Sequence, residues 1–425
     1  MPLGSAGLAP LTPSAGSVYA RWQGQGTARG VPRKGHRRLI LPALSARFLI
    51  SCGEPSGDLY GGELLRHLRT RLPGIEAFGL GGEHLLREDA ALLGHVRDLA
   101  VVGIVEVVRH LGTLRRVFRD VLAEVDRRRP DLAVLVDYPS FNLRLARELA
   151  RRSVPVVYYI SPQIWAWKAW RIREIRRNVT RMLVIFPFEQ AIYEGAHVPV
   201  SFVGHPLVDL VRPAPDRAAF LREAGLDPAR PVVAVLPGSR RTEVRYVLPR
   251  VAGALRLLAA RRPDVQFLLA VAPSLDPEAT RAGLGGLPIV LVTGRTHAVL
   301  GAATLSLVTS GTATVESTLL GTPMVVVYRV SPITYALGRW MVRVPHAAMP
   351  NLIAGREVVP ELIQDRLTPE RLAHEALALL EDAGRSEGMR RDLADVRDRL
   401  GSPGASARAA EAVLQVFLEV KNKKA

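Results

Sequence analysis

The chain has 425 residues, 48% apolar and 23% charged, which supports a sizeable core in two or three domains and excludes disorder throughout. A single cysteine, Cys52, excludes an intramolecular disulfide and a cysteine-built metal site and fits a reducing compartment. With 57 basic against 40 acidic residues the formal net charge is +17, which favours anionic partners: nucleic acid, phosphorylated substrates or an anionic membrane surface.

Residues 1–46 are rich in Gly, Pro, Ser and Ala and show no apolar periodicity; Arg21 to Arg38 is basic, and the first acid is Glu54. The segment reads as a disordered extension, with an Arg-rich transit peptide or a misplaced start as the other readings. From Arg47 the pattern alternates. Phe48–Cys52 is a short apolar strand, then a glycine-bearing turn and a helix from Asp58 to Leu72. Leu132–Val136, Val156–Ile160, Met182–Phe186 and Ser201–Val203 read as further buried strands. Val208–Arg217, polar and proline-bearing, reads as a linker, and the pattern restarts. Val232–Leu236, Gln266–Val271, Ile289–Val292, Leu305–Val308 and Met324–Tyr328 are the strands of a second half, with a helix from Val247 to Arg262. Pro369–Val420 is helical by period and ends in lysines. The expected architecture is α/β: two Rossmann-like doubly wound domains facing across a cleft, with ligands at the carboxyl ends of the strands. The boundaries are 1–46 for the extension, 47–210 and 211–366 for the two domains, and 367–425 for C-terminal helices that pack back on the first domain. No membrane span is expected: Thr296–Val315 is uncharged but laced with Thr, Ser and Gly, and Val154–Trp167 is too short.

Five turns hold residue types suited to chemistry. Gly53-Glu54-Pro55-Ser56-Gly57-Asp58 follows the first strand and permits close backbone approach, although Ser56 or Asp58 would also serve simply as a helix cap. Asp137 ends an apolar strand, where burial raises a carboxyl toward general-base duty; a turn acid is the alternative. Ser161–Trp170 holds three of the five tryptophans and runs into Arg171, Arg173, Arg176 and Arg177. Its rings would stack on a sugar or base or sit at a membrane interface, or else serve as core aromatics beside a solvated basic face. Gly238-Ser239-Arg240 opens the second half with a glycine for phosphate approach and a forked cation, a surface arginine being the alternative. Ser310-Gly311-Thr312 starts a helix, with Glu316 one turn in, placed for the vicinal hydroxyls of a ribose or else simply a first-turn acid of a capped helix. The ten histidines do not cluster, His205 reads as structural, and no metal-ligand spacing appears.

Together these stretches resemble the lipid-A-disaccharide synthase family of inverting GT-B glycosyltransferases. The resemblance rests on "GEPSGD" at Gly53–Asp58, "VVGIVEV" at Val101–Val107, "DYPSFN" at Asp137–Asn142 and "SPQIWAW" at Ser161–Trp167. It continues through "FPFE" at Phe186–Glu189, "FVGHPLVD" at Phe202–Asp209, "LPGSRRTEV" at Leu236–Val244 and "SGTATVE" at Ser310–Glu316. "GTPMVVVYR" at Gly321–Arg329 and "PNLIAGREVVPELIQD" at Pro350–Asp365 complete the series. Each motif is weak alone; ten in order are specific. Tyr138 and Ser140 stand where many members have Ala and Asp, and Gln163 stands for a commoner Ser.

The resemblance implies UDP-2,3-diacylglucosamine as donor and 2,3-diacylglucosamine 1-phosphate (lipid X) as acceptor, with UDP released and no metal or other cofactor. It implies Asp137 as base, Arg240 with Gly238, Ser239, Ser310, Gly311 and Thr312 around the leaving UDP, Glu316 on the ribose and Asn351 near the nucleotide. Glu54, Ser56 and Asp58 would line the acceptor side, and Gln163 with Trp165 would close the cleft. Peripheral attachment to an anionic membrane surface is implied, on the cytoplasmic face of the bacterial inner membrane, with the apolar Ala100–Val108 as the contact. A homodimer through the C-terminal helices is a weaker expectation, and no nucleic acid is expected. The competing classes are a UDP-sugar enzyme of the same fold, such as an epimerase, and a non-catalytic basic protein docking on nucleic acid or anionic lipid.

Overall fold

A run such as Leu132-Ala133-Val134-Leu135-Val136 has no polar face, so it is stable only with apolar cover on both sides. All five residues are buried, and they form the fourth strand of a parallel sheet. The computed structural model describes residues 45–99, 104–214, 216–332, 334–335 and 344–424. The extension expected over 1–46 lies, as far as residue 44, outside the described residues, as does Ala100–Val108 apart from the helical backbone from Ile104.

The first sheet holds β1 (Ala46–Cys52), β2 (Ile75–Gly81), β3 (Ala91–His95), β4 (Leu132–Val136), β5 (Val156–Tyr159), β6 (Arg181–Val184) and β7 (Val200–Phe202). Its order is β3-β2-β1-β4-β5-β6-β7, all parallel. The second holds β8 (Val232–Leu236), β9 (Gln266–Val271), β10 (Ile289–Thr293), β11 (Leu305–Thr309), β12 (Met324–Tyr328) and β13 (Glu361–Ile363), in the parallel order β10-β9-β8-β11-β12-β13. Each is a doubly wound sheet. Its order reverses beside its own first strand, between β1 and β4 and between β8 and β11, and ligands of such sheets gather at that switch point.

The strand pattern missed β2, β3 and β13. Glycines break the apolar run of β2, and they are there because the neighbour is close: a Cβ on Gly79 would lie 2.0 Å from the Ile50 carbonyl oxygen. β3 is a partly exposed edge and β13 has three residues, so neither carries a strong period. Two helices also begin earlier than their apolar period suggests. Pro55, at the first helical position, starts the helix Pro55–Arg69, and Glu243 caps the helix Arg241–Arg261, which carries Pro249 inside it.

The chain divides into two compact units, one of Met1–Val203 with Ser406–Ala425 and one of Gly204–Ala405. The helices Pro369–Glu381 and Ala383–Arg399 belong to the second. The last helix, Ala405–Lys424, lies with the first: Phe417 meets Phe48 edge-on at 5.4 Å, and Arg408 Nε donates to the Val203 carbonyl at 2.9 Å. In the second unit the Asp209 carboxylate accepts the N–H groups of Gly404 (2.6 Å) and Ala405 (2.9 Å), and the His205 N–H donates to the Leu400 carbonyl. Burial pushes the His205 pKa down to about 3, which keeps the ring neutral.

Candidate active site

In the first unit the polar residues gather where β1 and β4 end. Asp137 and Tyr138 both take left-handed backbone conformations, φ 47° and 50°. For non-glycine residues each costs roughly 1–2 kcal/mol, so the surroundings must impose them. The Tyr138 ring lies over Gly53: a Cβ there would sit 2.0 Å from it, so the first turn needs glycine because the second turn covers it. Half-buried, the Asp137 carboxyl is pushed up to about 7 by burial and then by the charge of Glu54, against the backbone N–H of Tyr138. A carboxyl near 7 is matched to taking a proton from a hydroxyl at neutral pH. Glu54 and Ser56, also half-buried, share this rim.

Asp58 does not. Its buried carboxylate accepts the N–H groups of Gly82 (2.6 Å), His84 (2.9 Å) and Leu85 (3.2 Å), so it fastens the turn after β2 and is not presented to a substrate.

The tryptophan segment follows β5, the neighbour of β4, and divides in two. Trp165 is buried: its Nε1–H donates to Glu189 Oε1 at 3.1 Å and its ring meets Phe188 edge-on at 5.1 Å. It is a core aromatic, not a stacking platform. Glu189 is buried with it and also accepts the Phe186 N–H; burial pushes its carboxyl up to about 7 against those hydrogen bonds. Trp167 and Trp170 are 36% and 66% exposed, with Lys168 Nζ 4.1 Å above the Trp167 ring. Gln163 is exposed on the same loop.

In the second unit the turn after β8 carries Gly238, Ser239 and Arg240. Gly238 has φ 119°, and a Cβ there would lie 2.8 Å from the Glu243 carboxylate. Glu243 accepts the N–H groups of Ser239 and Arg240, both at 3.3 Å, and Arg240 Nη1 at 3.0 Å. The amides of this loop are therefore engaged, and what it presents to an anion is the exposed Arg240 guanidinium. Tyr328, ending β12, stands beside it: burial and the Glu243 charge raise its hydroxyl pKa.

After β11 the helix Thr312–Leu320 begins at Gly311, φ 146°. A Cβ on Gly311 would meet nothing within 4 Å, and Gly311 and Thr312 are exposed, so the start of this helix has open space beside it. Ser310 Oγ donates to the Ala347 carbonyl at 2.7 Å. Glu316 is half-buried, with His297 Nε2 3.3 Å from its Oε1. Asn351 is not presented to a nucleotide. Fully buried, it donates to the Val359 carbonyl and Glu361 Oε1 and accepts the N–H groups of Val358 and Val359. Glu361 in turn accepts the N–H groups of Ala347 and Ala348, which fixes the carbonyl that Ser310 holds.

Sequence reasoning gave no role to Asn142, Glu189, Glu243, His297 or Glu361. Four of them stand inside quoted motifs, so their motifs were visible although their bonds were not; His297 had no such signal. Among the described residues no group of His, Cys, Asp and Glu is arranged to hold a metal ion, and no helix is long and apolar enough to cross a membrane.

A family model described as lipid-A-disaccharide synthetase matches residues 48–416. The lipid-A-disaccharide synthase of Koribacter versatilis is 45% identical over 382 residues, 89% of this chain and 99% of that relative. That of Myxococcus xanthus is 44% identical over 374 residues, 87% of this chain and 97% of that relative. Among solved structures, the UDP-N-acetylglucosamine 2-epimerase of Neisseria meningitidis bound to UDP-GlcNAc superposes with a TM-score of 0.61 at 11% identity, covering 87% of this chain and 100% of its own. The calicheamicin glycosyltransferase superposes at 0.57 and 19% identity, covering 88% and 98%. At such identities these two show the fold, the pair of Rossmann-like domains of GT-B enzymes. With the family model spanning most of the chain and such relatives end to end, the chain belongs to the lipid-A-disaccharide synthase family of glycosyltransferases.

Proposed function

We propose that this protein transfers 2,3-diacylglucosamine from UDP to lipid X, giving the β-1,6-linked lipid A disaccharide 1-phosphate and UDP. The observation that carries the chemistry is Asp137: a carboxyl at the switch point of the first sheet, in a hydrogen-bonded left-handed turn, pushed up to about 7. In the reaction Asp137 takes the proton of the acceptor hydroxyl as its oxygen attacks the anomeric carbon. The bond from that carbon to the phosphate oxygen breaks, with inversion. Negative charge gathers on the leaving diphosphate, where Arg240 and the first N–H groups of the helix Thr312–Leu320 would neutralise it. Glu316, steadied by His297, accepts hydrogen bonds from the ribose hydroxyls. Asp58, Trp165 and Asn351 hold the turns around these groups.

The substrates carry acyl chains, so we place the enzyme on the cytoplasmic face of the inner membrane, attached peripherally. Exposed Trp167 and Trp170 among Lys168, Arg173, Arg176 and Arg177 support that reading, because indole rings and cations favour an anionic interface. A homodimer through the C-terminal helices has less support, since Val413, Val416 and Phe417 of the last helix are already buried; light scattering tests it.

Purified protein given UDP-2,3-diacylglucosamine and lipid X, with and without chelator, should form the disaccharide equally in both. Epimerisation of UDP-GlcNAc with no disaccharide formed would move the assignment to an epimerase. Function intact in Asp137→Ala would move it to a non-catalytic docking protein.

A further inference from the structure

The turn that carries Asp137 is held by the side chains of Asn142 and Tyr158. Asn142 is fully buried, five residues after the Asp137 that begins the motif. Its Nδ2 lies 2.8 Å from the Asp137 carbonyl oxygen, 3.2 Å from that of Val136 and 3.2 Å from that of Ser51. Its Oδ1 accepts the Ser51 hydroxyl at 2.7 Å. One amide thus joins the end of β1, the end of β4 and the left-handed turn. A second donor reaches the same point: the Tyr158 hydroxyl, from β5, donates to the Asp137 carbonyl at 2.7 Å. Both bonds grip the main chain of Asp137 and leave its carboxyl free of them. Three neighbouring strands thereby fix where that carboxyl points.

This arrangement exceeds what burial of an asparagine requires. An ordinary asparagine at the start of a helix would satisfy its own neighbours; this one reaches the ends of two strands and holds the carbonyl of Asp137, the first residue of the left-handed pair. We propose that Asn142, with Tyr158 as its second arm, is the positioning residue for the Asp137 base, acting through the Asp137 carbonyl to keep the carboxyl off the solvent and on the acceptor hydroxyl. The inference rests on the reading of Asp137 as base.

The groups facing Asp137 are Cys52 and Glu54 from the end of β1 and the turn after it, Tyr138 beside it, and Tyr158 from β5, with Arg171 acting on Tyr158. Burial and Glu54 hold the Asp137 carboxyl near 7. If the turn relaxes, the carboxyl gains water, and the acid limb of the rate profile moves to lower pH.

The test compares Tyr158→Phe, Asn142→Ala and Asp137→Asn by kcat, KM and the pH dependence of kcat in disaccharide formation, with the folded fraction counted by UDP-binding stoichiometry. Tyr158→Phe keeps the ring and removes one bond, so it carries the test where Asn142→Ala does not fold. The expected result is kcat per folded enzyme lowered about tenfold in Tyr158→Phe and about a hundredfold in Asn142→Ala, KM for both substrates within about twofold, and the acid limb displaced downward in both. Glu189→Gln, which removes the other carboxyl near 7, should leave the limb in place. Loss of stability alone, with kcat per folded enzyme and the acid limb unchanged in Tyr158→Phe, overturns the positioning role while Asp137→Asn still abolishes turnover. If Asp137→Asn itself keeps turnover, the base reading fails first, and positioning falls with it.

Discussion

The switch points of the two sheets, between the ends of β1 and β4 and between those of β8 and β11, hold equivalent places in their strand orders, yet they are opposite in chemistry and in how their side chains are bonded. In the first unit, carboxyls gather at the switch point, and the left-handed pair Asp137–Tyr138 is locked by buried hydrogen bonds. In the second, a cation and a helix N-terminus gather at the switch point, and Arg240 is exposed with a single ion pair, to Glu243. Topology explains why both sets sit at strand ends. It does not explain why one set is buried in hydrogen bonds and the other exposed; the proposed roles would. A base must meet one hydroxyl in one geometry, whereas charge on a diphosphate spreads over several oxygens that a long guanidinium can follow.

The contrast breaks first at Asp137. Asp137→Asn should lower kcat by about 10²–10⁴-fold with the circular dichroism spectrum unchanged. The same variant tests the energetics. A carboxyl raised from 3.8 to about 7 in the fold adds stability that is full below the lower value and is lost as pH rises through the upper. Asp137→Asn should therefore melt higher than the parent at pH 8, with the gap closing toward pH 4. A variant that melts lower at pH 8 would show that the turn is not under the electrostatic load described.

The second unit should break more gently. Arg240→Ala should lower kcat by about 10²–10³-fold, the size of losing one donor to a developing charge, and Arg240→Lys should recover only part because a point charge lacks the fork. Equal loss in both would mean that the fork itself is needed. Glu243→Gln sharpens this further: it keeps a cap for the helix and removes the charge paired with Arg240, so the Kd for UDP should fall by a few fold. An unchanged Kd would mean that the pair does not compete with the diphosphate.

The same contrast explains what the sequence made legible. Apolar pentads such as Val232–Leu236 announce strands buried on both faces, so the strand-end places of Asp137, Arg240 and Gly311 were legible by position alone. What stayed hidden were bonds made by residues distant in sequence. Asn142 reaches Ser51, 91 residues away, and Asp58 reaches the turn after β2; nothing local separates such a side chain from one that faces a substrate. Asn351 shows a second limit: a motif position does not tell whether a side chain faces a ligand or, as here, is buried with four internal hydrogen bonds.

The smallest expected effect lies away from both switch points. Trp170 is 66% exposed and makes no part of the core, so Trp170→Ala should leave the melting temperature and the rate on detergent-dispersed substrate within about twofold. On vesicles containing anionic lipid the outcome should differ. An indole at the interface and each nearby cation contribute on the order of 1 kcal/mol, so losing the ring should weaken binding by about fivefold. Arg173→Glu should weaken it further and in a salt-dependent way, since exposed charges act only within a Debye length. Vesicle cosedimentation at two salt concentrations separates these contributions. If neither variant changes binding to anionic vesicles, the exposed ring and its cations are an ordinary solvated face, and the proposed membrane attachment loses its support there.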